Sequence, residues 1–230
     1  MSCRLEIQDL GKMEYESALR LQRQIQKDVI DARTCSTTSP FHLLLLEHTP
    51  PVITISRRST AKKHLLATEE QLKAKGIHVA VTDRGGDITY HGPGQLVGYP
   101  NLDLNALSLR LHGYMRFLEE TIIEVLGHFG VNAQRDECAT GVWVDGAKIC
   151  AMGVRISRWV SMHGFALNVM PTMEHFSYIV PCGLTGRRVT SLKELKGHDC
   201  PSMDEVKEVT SETFRLAISR LNQVQQEHHQ

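Results

Sequence analysis

The stretch Val142-Trp143-Val144-Asp145-Gly146-Ala147-Lys148-Ile149-Cys150-Ala151-Met152-Gly153-Val154-Arg155-Ile156 decides the fold. Asp-Gly suits a two-residue type I′ turn, because both of its positions require positive φ, and apolar residues crowd both flanks. Residues 142–144 and 147–156 therefore read as a hairpin, and residues 164–169 as a further strand. A tight hairpin makes an antiparallel pair, whereas a strict βαβ array needs a helix between successive strands.

Helical periodicity surrounds this strand-rich centre. Residues 14–31 carry Tyr15, Ala18, Leu21, Ile25 and Val29 at three-to-four spacing, one apolar face of a helix. Residues 107–129 repeat the pattern with Leu111, Met115, Leu118, Ile122 and Leu126, and Gly130 ends it. Ser202-Met203-Asp204-Glu205 is a capping box for a C-terminal helix that turns Val206, Val209, Phe214, Ala217 and Leu221 toward the core. Residues 42–46 and 52–56 read as strands around the turn-prone His48-Thr49-Pro50-Pro51. Thr68-Glu69-Glu70-Gln71 caps a short helix stopped by Gly76, and residues 79–82 form a strand that runs into Arg84-Gly85-Gly86. This order predicts an α/β (α+β) fold, a mixed β-sheet flanked by helices. No repeat or low-complexity linker divides the chain, so residues 1–230 are expected to form a single domain.

Composition excludes several classes. Lys+Arg and Asp+Glu both number 26, so no overall field draws the chain to nucleic acid. The densest apolar run, 43–46, ends at Glu47, far short of the ~20 residues that span a bilayer. Six scattered cysteines suggest reduced thiols and not a disulfide framework. Glu6 and Asp9 fall where a mitochondrial presequence should be poor in acids, so no cleavable transit peptide is expected. His198 and Cys200 are close, but without Cys-x-x-Cys or His-Glu-x-x-His spacing no metal site is expected. Arg57, Arg58, Lys62 and Lys63 form a local basic cluster, either a solvated loop or a docking patch for an acidic protein.

Three segments carry chemistry. Arg84-Gly85-Gly86-Asp87-Ile88-Thr89-Tyr90-His91-Gly92-Pro93-Gly94-Gln95 combines glycines, which allow close backbone approach, with polar donors. It reads as a ligand cradle or as a tight structural loop, and is neither a Walker A loop nor a dinucleotide fingerprint. In the hairpin, Trp143 falls opposite Lys148, and alternation puts Lys148 on the face of Cys150, Met152 and Val154. A lysine in apolar company is partly desolvated and suited to proton transfer; the alternative is one snorkelling out from a sheet edge. Cys182, in Val180-Pro181-Cys182-Gly183, is held by a turn-forming Pro and Gly. It is either a small buried residue or, beside a cationic lysine, a thiolate nucleophile.

These segments resemble those of the lipoyl(octanoyl) transferase family, which is related in fold to the catalytic domain of the biotin and lipoate protein ligases. The family's signature loop appears as the segment 84–95, its lysine strand as Gly146-Ala147-Lys148-Ile149-Cys150-Ala151-Met152-Gly153-Val154-Arg155, its histidine strand as His163-Gly164-Phe165-Ala166-Leu167-Asn168 and its nucleophile segment as Pro181-Cys182-Gly183. Thin similarity extends from Asp9-Leu10-Gly11 to Val189-Thr190-Ser191-Leu192. The resemblance implies one octanoyltransferase catalytic domain that takes an octanoyl group from the phosphopantetheine thioester of acyl carrier protein onto Cys182. The group then passes to a lysine of lipoyl-domain proteins such as the glycine cleavage H protein and 2-oxoacid dehydrogenase E2 subunits. By the same carry-over, Lys148 lowers the Cys182 pKa and later manages the amine's proton. Arg84, Gly85, Gly86, Asp87, Ile88, Thr89, Tyr90, His91, Ala151, Met152, Gly153, Gly164, Phe165 and Ala166 line the acyl pocket. No cofactor, metal, nucleic acid or membrane is implied, and the wording of the motifs points to mitochondria, with the cytoplasm as the alternative for a bacterial source. The alternatives are an ATP-dependent ligase on the same fold, a non-catalytic binder of acyl carrier protein, and a thioesterase.

Overall fold

A computed structural model describes residues 4–35, 39–181 and 186–227, the last four as backbone alone. Strand β1 (Leu5–Met13) leads into helix α1 (Tyr15–Thr34), which crosses back to β2 (Phe41–His48) parallel to β1. β3 (Val52–Ser56), helix α2 (Glu69–Ala74) and β4 (His78–Thr82) follow, and the Thr68–Gln71 capping box forms as expected. The glycine-rich segment is not one loop. It holds two strands, β5 (Ile88–His91) and β6 (Gln95–Asn101), which switch between sheets at Gly92-Pro93-Gly94. Next come α3 (Leu111–His128), the hairpin of β7 (Val142–Val144) with β8 (Ala147–Ser157), and β9 (Val160–Asn168). β10 (Arg188–Val189), α4 (Leu192–Lys196) and α5 (Met203–Glu227) complete the chain.

The strands form two sheets. Seven run in the order β1-β2-β6-β9-β8-β10, with β7 also on β8, and three run β4-β3-β5. The mixed sheet with flanking helices expected from sequence is present. The run Leu43 to Leu46 shows why the large sheet is a central layer: Leu43 and Leu45 pack under α3 and α5 with Leu118, Ile122 and Phe214, while Leu44 and Leu46 pack under α1 with Ala18, Ile25 and Val29. A strand covered on both faces needs no polar alternation. Among the described residues no helix is long and apolar enough to cross a membrane.

The β7–β8 turn has the expected form, with Asp145 at φ 47° and Gly146 at 75°. Val144 pairs with Ala147 and Trp143 with Lys148, but the next pair is Val142 with Cys150. One extra residue, Ile149, therefore bulges the strand and breaks period-two alternation. This corrects the expectation that Lys148 shares a face with Cys150: both Ile149 and Cys150 enter the core under α3 and α5, and Lys148 takes a different environment.

Candidate active site

Lys148 is 5% exposed. Its Nζ donates to the Thr140 carbonyl at 3.0 Å and lies 4.7 Å from the Trp143 ring centroid, so it does not snorkel outward. A carbonyl oxygen and an aromatic face are both partners that suit an ammonium. The 139–141 loop that supplies the carbonyl is itself tied down. Trp143 Nε1 donates to the Ala139 carbonyl at 3.1 Å, and Gly141 N donates to Glu119 Oε1 at 3.1 Å. The buried Glu119 carboxylate is held in turn by Arg116 at 2.7 Å and Arg135 at 3.3 Å.

Two clefts adjoin beside this lysine. The first, about 470 Å³ out to its open mouth, is lined by Arg84, Gly86, Asp87, Thr89, His91, Ala151, Met152, Gly153, Gly164, Phe165 and Ala166 together with Tyr15, Tyr99 and His163. The second contains Lys148, Thr140, Gly85, Val154 and Cys138, and shares Gly86, Asp87, Met152 and Gly153 with the first. Volumes of a few hundred Å³ with mainly apolar walls are typical of small-molecule sites. Ile88 and Tyr90 alternate to the opposite side of β5, where they pack with Ile53, Ile55, Phe176 and Ile179, and the Tyr90 hydroxyl bonds His175 Nδ1 at 2.9 Å. Thr89 and His91 face the cleft instead, as period two requires.

Cys182 lies outside the described residues, but both ends of its segment are placed. Val180 N donates to the His64 carbonyl at 2.8 Å, Val189 pairs with Lys148, and Thr190 N donates to the Lys148 carbonyl at 3.0 Å. The chain that leaves Cys182 thus runs onto the lysine's own strand, about 25 Å along at full extension.

The floor of the first cleft is polar but uncharged. Burial, with His48 and Arg84 nearby, holds His91 well below the usual imidazole range. Burial takes His48 down to about 4 and pushes the Tyr15 and Tyr99 hydroxyls up. Burial also lowers His163, against the pull of Asp83, to which its Nε2 is bonded at 3.0 Å. Asp83 falls to about 2, first through that hydrogen bond and, despite some burial, through Arg155 and Arg23. Tyr15, Tyr99 and His48 escaped sequence reasoning, because they come from α1, β6 and β2 and no local motif marks them. His163 stood in a quoted motif without a role.

Among the described residues no cluster of three His, Cys, Asp or Glu could hold a metal ion. Cys200 Sγ instead contacts the Pro201 carbonyl at 3.5 Å and that of Val169 at 3.9 Å. Arg57, Arg58, Lys62 and Lys63 are exposed, with Arg58 on the second cleft's wall.

Solved protein ligases share this architecture. Lipoate-protein ligase A bound with ATP superposes with TM-score 0.70 at 17% identity over 95% of this chain and 86% of that one. The biotin protein ligase of Aquifex aeolicus gives 0.52 at 12% identity over 97% and 72%. At such identities the likeness is one of fold. Sequence goes further: the lipoyl protein ligase A/B catalytic domain model matches residues 14–215, and the chain belongs to that family. Relatives named octanoyltransferase include those of Flavobacterium johnsoniae (44% identical, covering 90% of this chain and 93% of the relative), Geobacter metallireducens (46%; 94% and 94%) and Solibacter usitatus (48%; 88% and 87%).

Proposed function

We propose that this chain is an octanoyltransferase that carries the acyl group on Cys182 and delivers it to the lysine of a lipoyl domain. The octanoyl transfer rests on the relatives of that name, which align over nearly the whole chain. The covalent route rests on one observation: Thr190, eight residues after Cys182, hydrogen-bonds to the backbone of Lys148, whose side chain lies in an ammonium-suited setting beside the cleft. The Lys148 ammonium stabilises the Cys182 thiolate. That thiolate attacks the octanoyl thioester of acyl carrier protein, the carrier's thiol leaves, and the acyl-enzyme forms. The acceptor lysine's amine then displaces the Cys182 sulfur as an amide forms. Transfer needs no cofactor, because a thioester is already an activated acyl group. The acceptors are lipoyl domains such as those of the H protein and the E2 subunits, and residues 1–230 act as one catalytic domain. By the wording of the motifs the site of action is the mitochondrion, which fractionation of the source cell would check.

Intact-mass analysis tests the chemistry. Mixing with octanoyl carrier protein should add one octanoyl group, mapped to Cys182 and absent in Cys182→Ala. Transfer from free octanoate only with ATP, undiminished in Cys182→Ala, would establish a ligase and overturn the reading.

A further inference from the structure

The first cleft has two unlike ends. Gly86, Asp87, Met152 and Gly153 line both clefts, so this end opens toward the space that holds Lys148. Tyr15, His91 and Tyr99 line the first cleft alone, and each is less than a tenth exposed, so they mark its closed end. An acyl chain that arrives tethered to a carrier protein enters such a cleft tail first, because its thioester stays with the carrier at the open side.

Between the two ends the cleft crosses a bare patch of sheet. Ala151 pairs with Ala166 and Gly153 with Gly164, so β8 and β9 set four small residues side by side on one face. β6 comes next: Val97 pairs with Ala166, and Tyr99 follows two residues on, on the same face. From β8 to β6 is two strand spacings, about 10 Å. That span is comparable with an extended eight-carbon chain.

The rings at the closed end hold one another in place. His48, fully buried, meets Tyr15, His91 and Tyr99 with ring centroids 5.3, 5.7 and 5.9 Å away. His48 gives its Nδ1 proton to the Met13 carbonyl at 3.1 Å, so its Nε2 accepts from Tyr99 Oη at 2.7 Å. Tyr15 Oη donates to Thr82 Oγ1 at 2.8 Å, and His91 Nδ1 is bonded to Gln95 Oε1 at 2.8 Å. A tyrosine whose hydroxyl is tied to a buried partner cannot change rotamer without leaving that partner unsatisfied. Met152, at the open end, is an unbranched and adaptable side chain that gives way more easily. The cleft is therefore yielding at its mouth and rigid at its far end.

We propose that Tyr99, locked by His48 and flanked by Tyr15, sets the length of acyl chain this enzyme accepts: its ring is the wall that the terminal carbons of a longer chain would meet. This deepens the acyl-transfer reading above and rests on it.

Competition among hexanoyl, octanoyl, decanoyl and dodecanoyl carrier proteins, with loading of the enzyme read by intact mass, tests the assignment. Wild type should load octanoyl fastest and fall steeply beyond it. Tyr99→Leu removes the outer part of the ring and should raise the ratio of dodecanoyl to octanoyl loading roughly tenfold or more, the discrimination that one or two methylenes carry in an apolar pocket. Ala166→Val adds bulk to the bare patch and should move the preference the other way, toward hexanoyl. Shifts of opposite sign separate a length stop from general damage, because a poorly folded variant loses every chain length together. A folded Tyr99→Leu with the wild-type length profile would overturn the inference and leave acyl transfer standing. Should melting curves show Tyr99→Leu unfolded, Ala166→Val decides alone, and an unshifted profile there would overturn it equally. Wild type that loads no acyl chain of any length would overturn both readings.

Discussion

Lys148 shows how far a single residue can be followed from sequence. The Asp145-Gly146 turn placed it opposite Trp143, because a two-residue loop leaves no freedom of register. Its separation from Cys150 was illegible, since nothing in Lys148-Ile149-Cys150 marks an extra residue in the ladder. That separation matters chemically: Cys150 is buried away from the lysine's ring and carbonyl partners, and burial pushes its thiol far up. Cys150 should therefore alkylate far more slowly than the exposed Cys35 and Cys138. In Lys148→Met the pH at which Cys182 alkylates should rise and turnover should fall by about 10²–10⁴, the usual weight of one acid-base group. The melting temperature should hold or increase, because a buried ammonium is costly to keep. Peptide mapping after pulsed alkylation reads the first change; an unaltered Cys182 profile would remove Lys148 from its proposed role.

At the scale of elements, the glycine-rich segment stood out in the sequence but its structure did not. Its glycines suggested a loop, yet Ile88–His91 and Gln95–Asn101 are strands in two different sheets. Glycine tightens this region by letting backbones touch, not by loosening it. Gly85 N donates to the Val154 carbonyl at 2.9 Å, and a Cβ on Gly153 would stand 2.6 Å from the Gly85 carbonyl oxygen. Backbone meets backbone there, so neither side can yield by turning a side chain. Gly153→Ala should lift the Arg84–Asp87 turn off β8 exactly where the two clefts share walls. The expected cost is about 1–3 kcal/mol of stability, as for other overpacked sites, with KM for the acyl donor raised more than kcat is lowered. Denaturant titration beside steady-state kinetics checks both, and a wild-type KM would mean that this contact does not shape the cleft. Strand β1 escaped notice for a different reason. As a half-covered edge strand beside β2, it lacks the clean alternation that periodicity detects.

The whole molecule assembles its cleft floor from residues that no local pattern could have grouped: Tyr15, His91, Tyr99 and His163 come from four elements, and His48, from a fifth, packs edge-on against the His91 ring behind them. Their joint burial has a thermodynamic consequence. His48, at about 4, His91 and His163 are all held below the ordinary imidazole value by burial, so the unfolded chain binds protons near pH 6.5 that the native one refuses. Stability is then fully present above about pH 6.5 and declines as the pH falls below it. Each such histidine adds up to about 1.4 kcal/mol per pH unit to the slope. Asp83 acts in a separate window: its native value near 2 means that its contribution, present above the usual carboxylate range, is lost only as the pH falls toward 2. Chemical denaturation at a series of pH values between about 7 and 5 should show the midpoint dropping before any carboxylate titrates. A midpoint that holds steady across that interval would mean that the histidines of the cleft floor are already protonated in the native state.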